Sequence, residues 1–509
     1  MNDKLHEALN QISDRHLEES ARPRRRYGFW LSAVAAVLAL VILISLLPGR
    51  PPKSSGQQAW VPTEHSCNSS PTCSCLPSTS TGTTGPNGNP YWHNLVAAPQ
   101  YPALVPYPDD YAFTGGSWEE YDALYKQWRE SQRAQYDQPD GYADSLTNFF
   151  ADSIRLILSD PRNTVYSPLN VYMALAMLAE STDGNSRQQI LDLLGAESIE
   201  ALRTQADHVW NAHYAADGQS DLLLANSLWL DHAYTRQDRA ASLLADRYYA
   251  SVFHGDLGSD EMNEALRYWL NENTGGMLSD QVQNVTMDPQ TVFALSSTVF
   301  FSAEWEAKFS KAKTKDGIFH APSGDRTVSF MKASSFCDLT YYWGSNFGAV
   351  LMGLSGGHHM WLILPDEGVT LEQVLAGEEY LQLTMDPGNW ENRAAGATVH
   401  LSLPKFDVSS DRDLIENMQA LGVTDVFDSS VADFSPLVTA PNLAVSAFRH
   451  AARVAIDEDG VIGAAYTVII GEGAMPPDGE VHFTLDRPFL FVVTSRDNLP
   501  IFTGTVMEP

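Results

Sequence analysis

Residues 27–47, YGFWLSAVAAVLALVILISLL, run for 21 positions without a charged side chain. No other feature limits the chain so strongly. A helix apolar on every side has no ordinary place on a soluble surface, whereas about 20 such residues cross about 30 Å of hydrocarbon. The stretch is therefore expected to span a bilayer. Arg22, Arg24, Arg25 and Arg26 precede it and only Arg50 and Lys53 follow nearby. That excess of cations places residues 1–26 in the cytoplasm as a tail and the rest outside. A cleaved signal peptide would have a shorter apolar run, about 7 to 15 residues, ending in a small-residue cleavage site. The adjoining LLPGRPPK offers no such site, so residues 27–47 are read as an uncleaved signal anchor of a single-pass membrane protein.

Beyond the anchor the chain changes character twice. Residues 48–90 are rich in Pro, Gly, Ser and Thr, with too few large apolar groups to offset the entropy of ordering. They read as a disordered stalk holding the next segment roughly 33 to 39 Å from the bilayer. Cys67, Cys73 and Cys75 lie in it and Cys337 stands alone further on. An oxidising compartment permits a bridge among the first three, and their spacing lacks the ligand pattern of a zinc site. Residues 91–141 are aromatic-rich: Trp118, Tyr121, Tyr125 and Trp128 recur at spacings of three and four behind Ser117. That pattern predicts a capped helix with one aromatic face, expected to pack on the neighbouring domain; carbohydrate binding is the other use of such a face.

Residues 142–509 carry the pattern of one mixed domain, class α+β. Ser186 and Gln189 form a capping box ahead of Ile190, Leu191 and Leu194, with Gly195 as the stop. Ser410 and Asp413 stand likewise ahead of Leu414, Met418 and Leu421, with Gly422 as the stop. Val399, Leu401 and Leu403 alternate with His400 and Ser402, and Val481, Phe483 and Leu485 with His482 and Thr484, the period of half-buried strands.

Charge and motifs exclude several functions. With 32 basic against 63 acidic side chains the net charge is −31, which repels nucleic acid, because binding there rests on neutralising phosphates. Gly353-Leu354-Ser355-Gly356-Gly357 has the spacing of a nucleophile elbow, but an extended apolar run, HHMWLILP, stands where a helix is required. It reads as a hairpin turn. His358 and His359 are adjacent and cannot share a zinc ion from a helix, and no HExxH occurs. An EF-hand loop begun at Asp457 would place the apolar Val468 at its twelfth position, so Asp457, Glu458 and Asp459 read as a solvated turn. No metal and no cofactor are called for.

A set of strings spread in order over the domain carries a resemblance. NTVYSPLNVYMALAML contains Ser167, Pro168 and Asn170; TVFFSAEWEAKF contains Trp305 and Phe309; LPKFDVSSDRDLIENMQALGVTDVF and ADFSPL come next; then comes His450; and DRPFLFVVTSRDNLPIFTGTVMEP closes the chain with Pro488, Phe489 and Gly504. Together they resemble the serpins, a family of serine protease inhibitors. The resemblance implies helices around three β-sheets, a large central sheet and an exposed reactive loop. It places Ser167, Asn170 and His450 at the family's shutter and Trp305 at its breach. It further implies that a protease cleaves the loop, which then inserts into the sheet as a new strand and traps the enzyme as an acyl ester. This chain supplies no catalytic group to that reaction.

On that resemblance the hinge of the loop is Glu458, Asp459, Gly460, Val461, Ile462, Gly463, Ala464 and Ala465, followed by Tyr466 and Thr467. In a strand, Val461, Gly463, Ala465 and Thr467 share one face and Ile462, Ala464 and Tyr466 the other. The first set is uncharged and small or β-branched, so it can enter a closed core without desolvating a charge. Val461, Ile462 and Gly463 depart from the Thr-Glu-Ala often found there, which bears on insertion speed. The seventeenth position from Glu458 is Ala474, making Ala474–Met475 the reactive bond, with Gly473 or Glu472 as neighbouring choices. A small residue there suits elastase-like proteases. The expectation is a monomeric, exported inhibitor of an elastase-like serine protease, displayed on a surface, with the anchor and stalk suggesting a bacterial one. The alternative is a non-inhibitory surface-binding protein of the same fold.

Overall fold

The computed structural model describes residues 91–108, 117–218, 220–333, 339–394, 397–461 and 479–509. The anchor 27–47, the stalk 48–90, all four cysteines, hinge residues Ile462, Gly463, Ala464 and Ala465, and the bond Ala474–Met475 lie outside the described residues. Among the described residues no helix is long and apolar enough to cross a membrane.

The strands of the described residues form three sheets. The largest has the order β1 (Leu95–Ala97), β5 (Ala250–Gly255), β4 (Ser220–Asp231), β6 (Phe293–Glu304), β16 (Gly460–Val461), β15 (Arg449–Ile456), β14 (Phe406–Asp413), with β3 (Ala215–Ala216) paired to β4 off this path. A seven-stranded sheet runs β12 (Arg393–Ala394), β9 (Tyr341–Trp343), β10 (Phe347–Leu354), β11 (His358–Pro365), β18 (Phe489–Thr494), β19 (Pro500–Val506), β2 (Thr164–Tyr166). The smallest runs β17 (Glu480–Thr484), β13 (Thr398–Pro404), β8 (Gly324–Lys332), β7 (Lys315–Ala321).

The helix Pro168–Glu180 packs between β6 and β19. Nearly all of its side chains are buried, as its apolar residues at almost every position require. Ser167 caps it by accepting the Asn170 N–H at 3.3 Å, and Pro168 fills the first position, where its missing N–H costs nothing. Strands β18 and β19, FLFVVT and PIFTGTV, are buried along their whole length, so they read as continuous apolar runs. On β13 the expected alternation holds, with Val399, Leu401 and Leu403 inward.

Local starts differ from the sequence reading in two places. The helix Gly184–Leu193 begins two residues ahead of Ser186, and Asp183 caps it by accepting the Gly184 N–H. Ser186 is instead buried, its hydroxyl accepting the Asp433 N–H at 3.1 Å, and Gln189 bonds across to Thr424 and Asp425. Ser410 likewise lies within β14, tied to the Val165 backbone, while Asp413 accepts the Ile415 N–H at 3.0 Å ahead of the helix Ile415–Ala420. In both cases a long-range partner claims the hydroxyl that a purely local pattern assigns to a cap.

The aromatic helix forms as Trp118–Ser131 with both halves of the Ser117–Glu120 capping box. Its last aromatic, Trp128, is buried and donates its indole N–H to Asp217 at 2.8 Å, while Tyr107 packs edge-on to it. Trp118 at the other end is 65% exposed, so the face is covered at one end only. Tyr101 stacks on Tyr214 and Trp210. Leu95 pairs with Phe253, making β1 an added edge strand on the largest sheet.

Candidate functional site

The expected site residues fall at two ends of one seam in the largest sheet. Among the described residues β6 and β15 share no direct pairing; β16 alone stands between them, with Val461 opposite both Ala303 and Ile456. Next to Val461 is a cavity of about 30 Å³ lined by Phe301, Ala452, Val454 and Phe502, room for about one water. Further along, a cleft of about 740 Å³ opens between the first half of β6 and residues 442–451.

At the closed end, the turn before β16 is clasped from several sides. Trp305 is buried; its indole N–H donates to the Asp457 carbonyl at 2.8 Å and its backbone N–H to the Asp459 carbonyl at 3.1 Å. Phe309, edge-on to Trp305, donates its N–H to the Glu458 carbonyl at 3.0 Å. Asp457 folds the turn on itself, accepting the Asp459 and Gly460 N–H groups. The solvated-turn reading holds for Asp459, which pairs with Lys311 at 2.7 Å at the surface, and fails for Glu458. That side chain is 3% exposed, pairs with Lys405 and accepts the Thr314 hydroxyl at 2.7 Å. Burial pushes its carboxyl up, but the hydrogen bonds from Lys405 and Thr314 outweigh it and the net direction is down. Gly460 is required where it stands: a Cβ there would strike the Ala303 carbonyl.

At the other end, Ser167, Asn170 and His450 lie in contact with one another. The Ser167 N–H donates to His450 Nε2 at 3.1 Å, so the imidazole hydrogen sits on Nδ1, 3.3 Å from the side-chain oxygen Oδ1 of Asn170. Asn170 donates in turn to the Ser297 hydroxyl at 3.2 Å, and the Ser167 hydroxyl donates to the Ile501 carbonyl at 2.7 Å. One network, part of it buried, thus joins the helix Pro168–Glu180, β15, β6 and β19. Burial pushes His450 down to about 4, so it is neutral at physiological pH.

None of this is arranged for hydrolysis. The Ser167 hydroxyl, close to a histidine, donates to a carbonyl, and the histidine accepts from the backbone instead. Ser355 sits in the hairpin between β10 and β11, where Gly356 and Gly357 both have positive φ, and its hydroxyl accepts the Glu304 N–H at 3.0 Å. Among the described residues, β6 and β15 have no strand between them beyond Val461.

A family model described as Serpin (serine protease inhibitor) matches residues 144–509. The chain belongs to the serpin family. It is 30% identical over 379 residues to an alpha-1-antiproteinase of Callosciurus caniceps, covering 72% of this chain and 89% of that one. It is 26% identical to Serpin-ZX of Arabidopsis thaliana, over 69% and 93% of the two chains. Among solved structures, the thermophilic serpin Tengpin in the native state matches with a TM-score of 0.65 at 27% identity, over 73% of this chain and 95% of that one. The three sheets and large central sheet of this serpin are those the resemblance implied. The family description and the names of these relatives are those of protease inhibitors.

The sequence reading missed Lys405 and Thr314, which hold Glu458, and Ser297, which completes the histidine network. Lys405 sits inside the string LPKFDV; a lone basic residue amid apolar and small ones was the one signal for a buried acidic partner.

Proposed function

We propose that this serpin is an exported, membrane-tethered, monomeric inhibitor of serine endopeptidases with elastase-like specificity, cleaved at Ala474–Met475 and acting by loop insertion. The observation that carries the reading is the seam: β16 begins a strand between β6 and β15 and no described strand continues it. Extending its register along β6 brings Gly463 opposite Phe301, Ala465 opposite Val299 and Thr467 opposite Ser297. Extending it along β15 brings the same three opposite Val454, Ala452 and His450. Ala452, Val454 and Phe301 are buried, and residues directly opposite share a face. The set Val461, Gly463, Ala465 and Thr467 would therefore enter the core, and Thr467 would arrive at the histidine network.

In the reaction the protease serine oxygen bonds to the Ala474 carbonyl carbon, the amide to Met475 breaks, and the Met475 amine leaves with a proton. The loop, freed at that end, adds its strand before water hydrolyses the ester. Residues 27–47 hold the inhibitor to the membrane and residues 48–90 give it reach, which fits a target in the extracytoplasmic space. The test is to mix the full chain with elastase-like proteases. An SDS-stable complex is expected, with mass spectrometry placing the new N-terminus at Met475. Cleaved chain alone at every ratio, with no complex, would instead favour a non-inhibitory serpin that binds at a surface.

A further inference from the structure

We propose that His400, His482 and Glu480 form a binding site for a divalent transition-metal ion of the zinc class on the outer face of the smallest sheet. The site is independent of the inhibitory reading. Strands β13 and β17 run parallel with His400 directly opposite His482, and Glu480 two residues before His482 on the same face. The opposite face carries Val399, Leu401 and Phe483, which are buried and fix the register. The two imidazoles lie nearly parallel with centroids 4.7 Å apart, and Glu480 Oε2 is 4.0 Å from His400 Nε2. One ligand atom from each residue can be chosen so that all lie within 4.8 Å of one another.

Ligand atoms bound at about 2.0 to 2.1 Å in a tetrahedron lie roughly 3.4 Å apart. Closing the difference takes small side-chain rotations, which Glu480 and His482 are free to make because both are exposed. His400 is less free, and its Nε2 is a buried atom without a hydrogen-bond partner. A ligand for a metal is one way such a nitrogen is satisfied. Two imidazoles and one carboxylate favour zinc, copper or nickel over calcium or magnesium, which take all-oxygen sets. Three protein ligands leave a fourth position for water or a partner's side chain. An ion held there ties β17, the strand that resumes after the reactive segment, to β13.

The test is calorimetric titration of the full chain, purified without a polyhistidine tag and stripped with EDTA, using zinc chloride, with the visible spectrum of the cobalt(II) form as a second readout. One ion per chain is expected, with the heat and the cobalt spectrum both lost in His482→Ala and His400→Gln. Glu480→Gln should weaken binding by at least the roughly tenfold that loss of an outer partner costs. His482 is exposed, so His482→Ala should keep the parent's circular dichroism in EDTA and decides the matter should His400→Gln misfold. The proposal is overturned if no ion binds, or if one ion binds with undiminished affinity in His482→Ala, which would place it elsewhere in the chain.

Discussion

The two ends of the seam are held by different physics. At the Trp305 end a strand is already present, held by backbone hydrogen bonds, a buried indole and the Glu458–Lys405 pair. At the His450 end no strand is present among the described residues, and the walls are linked by a network of uncharged groups around one neutral imidazole. Under the proposed insertion, the first end would anchor the hinge where an incoming strand starts. The second would then be a lock that such a strand has to open, since Thr467 would arrive between Ser297 and His450. Charge suits the anchor because Lys405 and Thr314 fully engage the Glu458 carboxylate. A neutral lock suits the other end because its hydrogen bonds can be exchanged without stranding a buried charge.

The comparison can be broken most sharply by placing a charge on the inserting face. Ala465→Asp would carry a carboxylate between Val299 and Ala452, at a desolvation cost of about several kcal/mol. It is expected to abolish the SDS-stable complex while cleavage continues, and Ala464→Asp, on the outer face, should retain it; equal partitioning of the two variants would remove the facing argument. At the anchored end, Trp305→Ala deletes a buried indole and its hydrogen bond to Asp457, expected to cost about 3 to 5 kcal/mol in denaturant unfolding. A loss below about 1 kcal/mol would show that the clasp does not depend on it.

The neutral lock predicts acid sensitivity. His450 is pushed down from an ordinary value near 6.5 to about 4 by burial, and His358, also buried, to about 3. Between those values and 6.5 the unfolded chain binds more protons, so the stabilisation is complete above about pH 6.5 and is lost as pH falls towards the folded values. The His450 share is on the order of 3 kcal/mol over that window. Replacing it by Asn should flatten the fall in midpoint between pH 6.5 and 4 without removing the His358 share; an unchanged slope would contradict the neutral assignment. Smallest is Ser355→Ala, which removes the acceptor for the Glu304 N–H and should cost about 1 kcal/mol. It should leave complex formation intact.

How far the sequence reached depends on the range of the interaction concerned. The alternation in VHLSLP and the Ser117 cap are local, and both elements form where their patterns place them. Trp305, Ser167, Asn170 and His450 are separated by up to 283 positions, and only the ordered resemblance could bring them to one seam. Ser186 and Ser410 misled because a hydroxyl has several uses, and a partner more than 200 residues away took each one. Glu458 looked solvated because Lys405, its partner, lies 53 positions away, between β13 and β14. His400 and His482 served only as polar markers of alternation, since nothing local reveals that their strands run parallel and in register.

The central claim is that the seam between β6 and β15 receives the severed loop. A crystal structure of the chain cleaved between Ala474 and Met475 tests it most directly. The account predicts a continuous new strand from Gly460 through at least Thr467, with Ala465 beside Val299 and Thr467 between Ser297 and His450. A cleaved chain in which no strand lies between β6 and β15 beyond Val461 would contradict it.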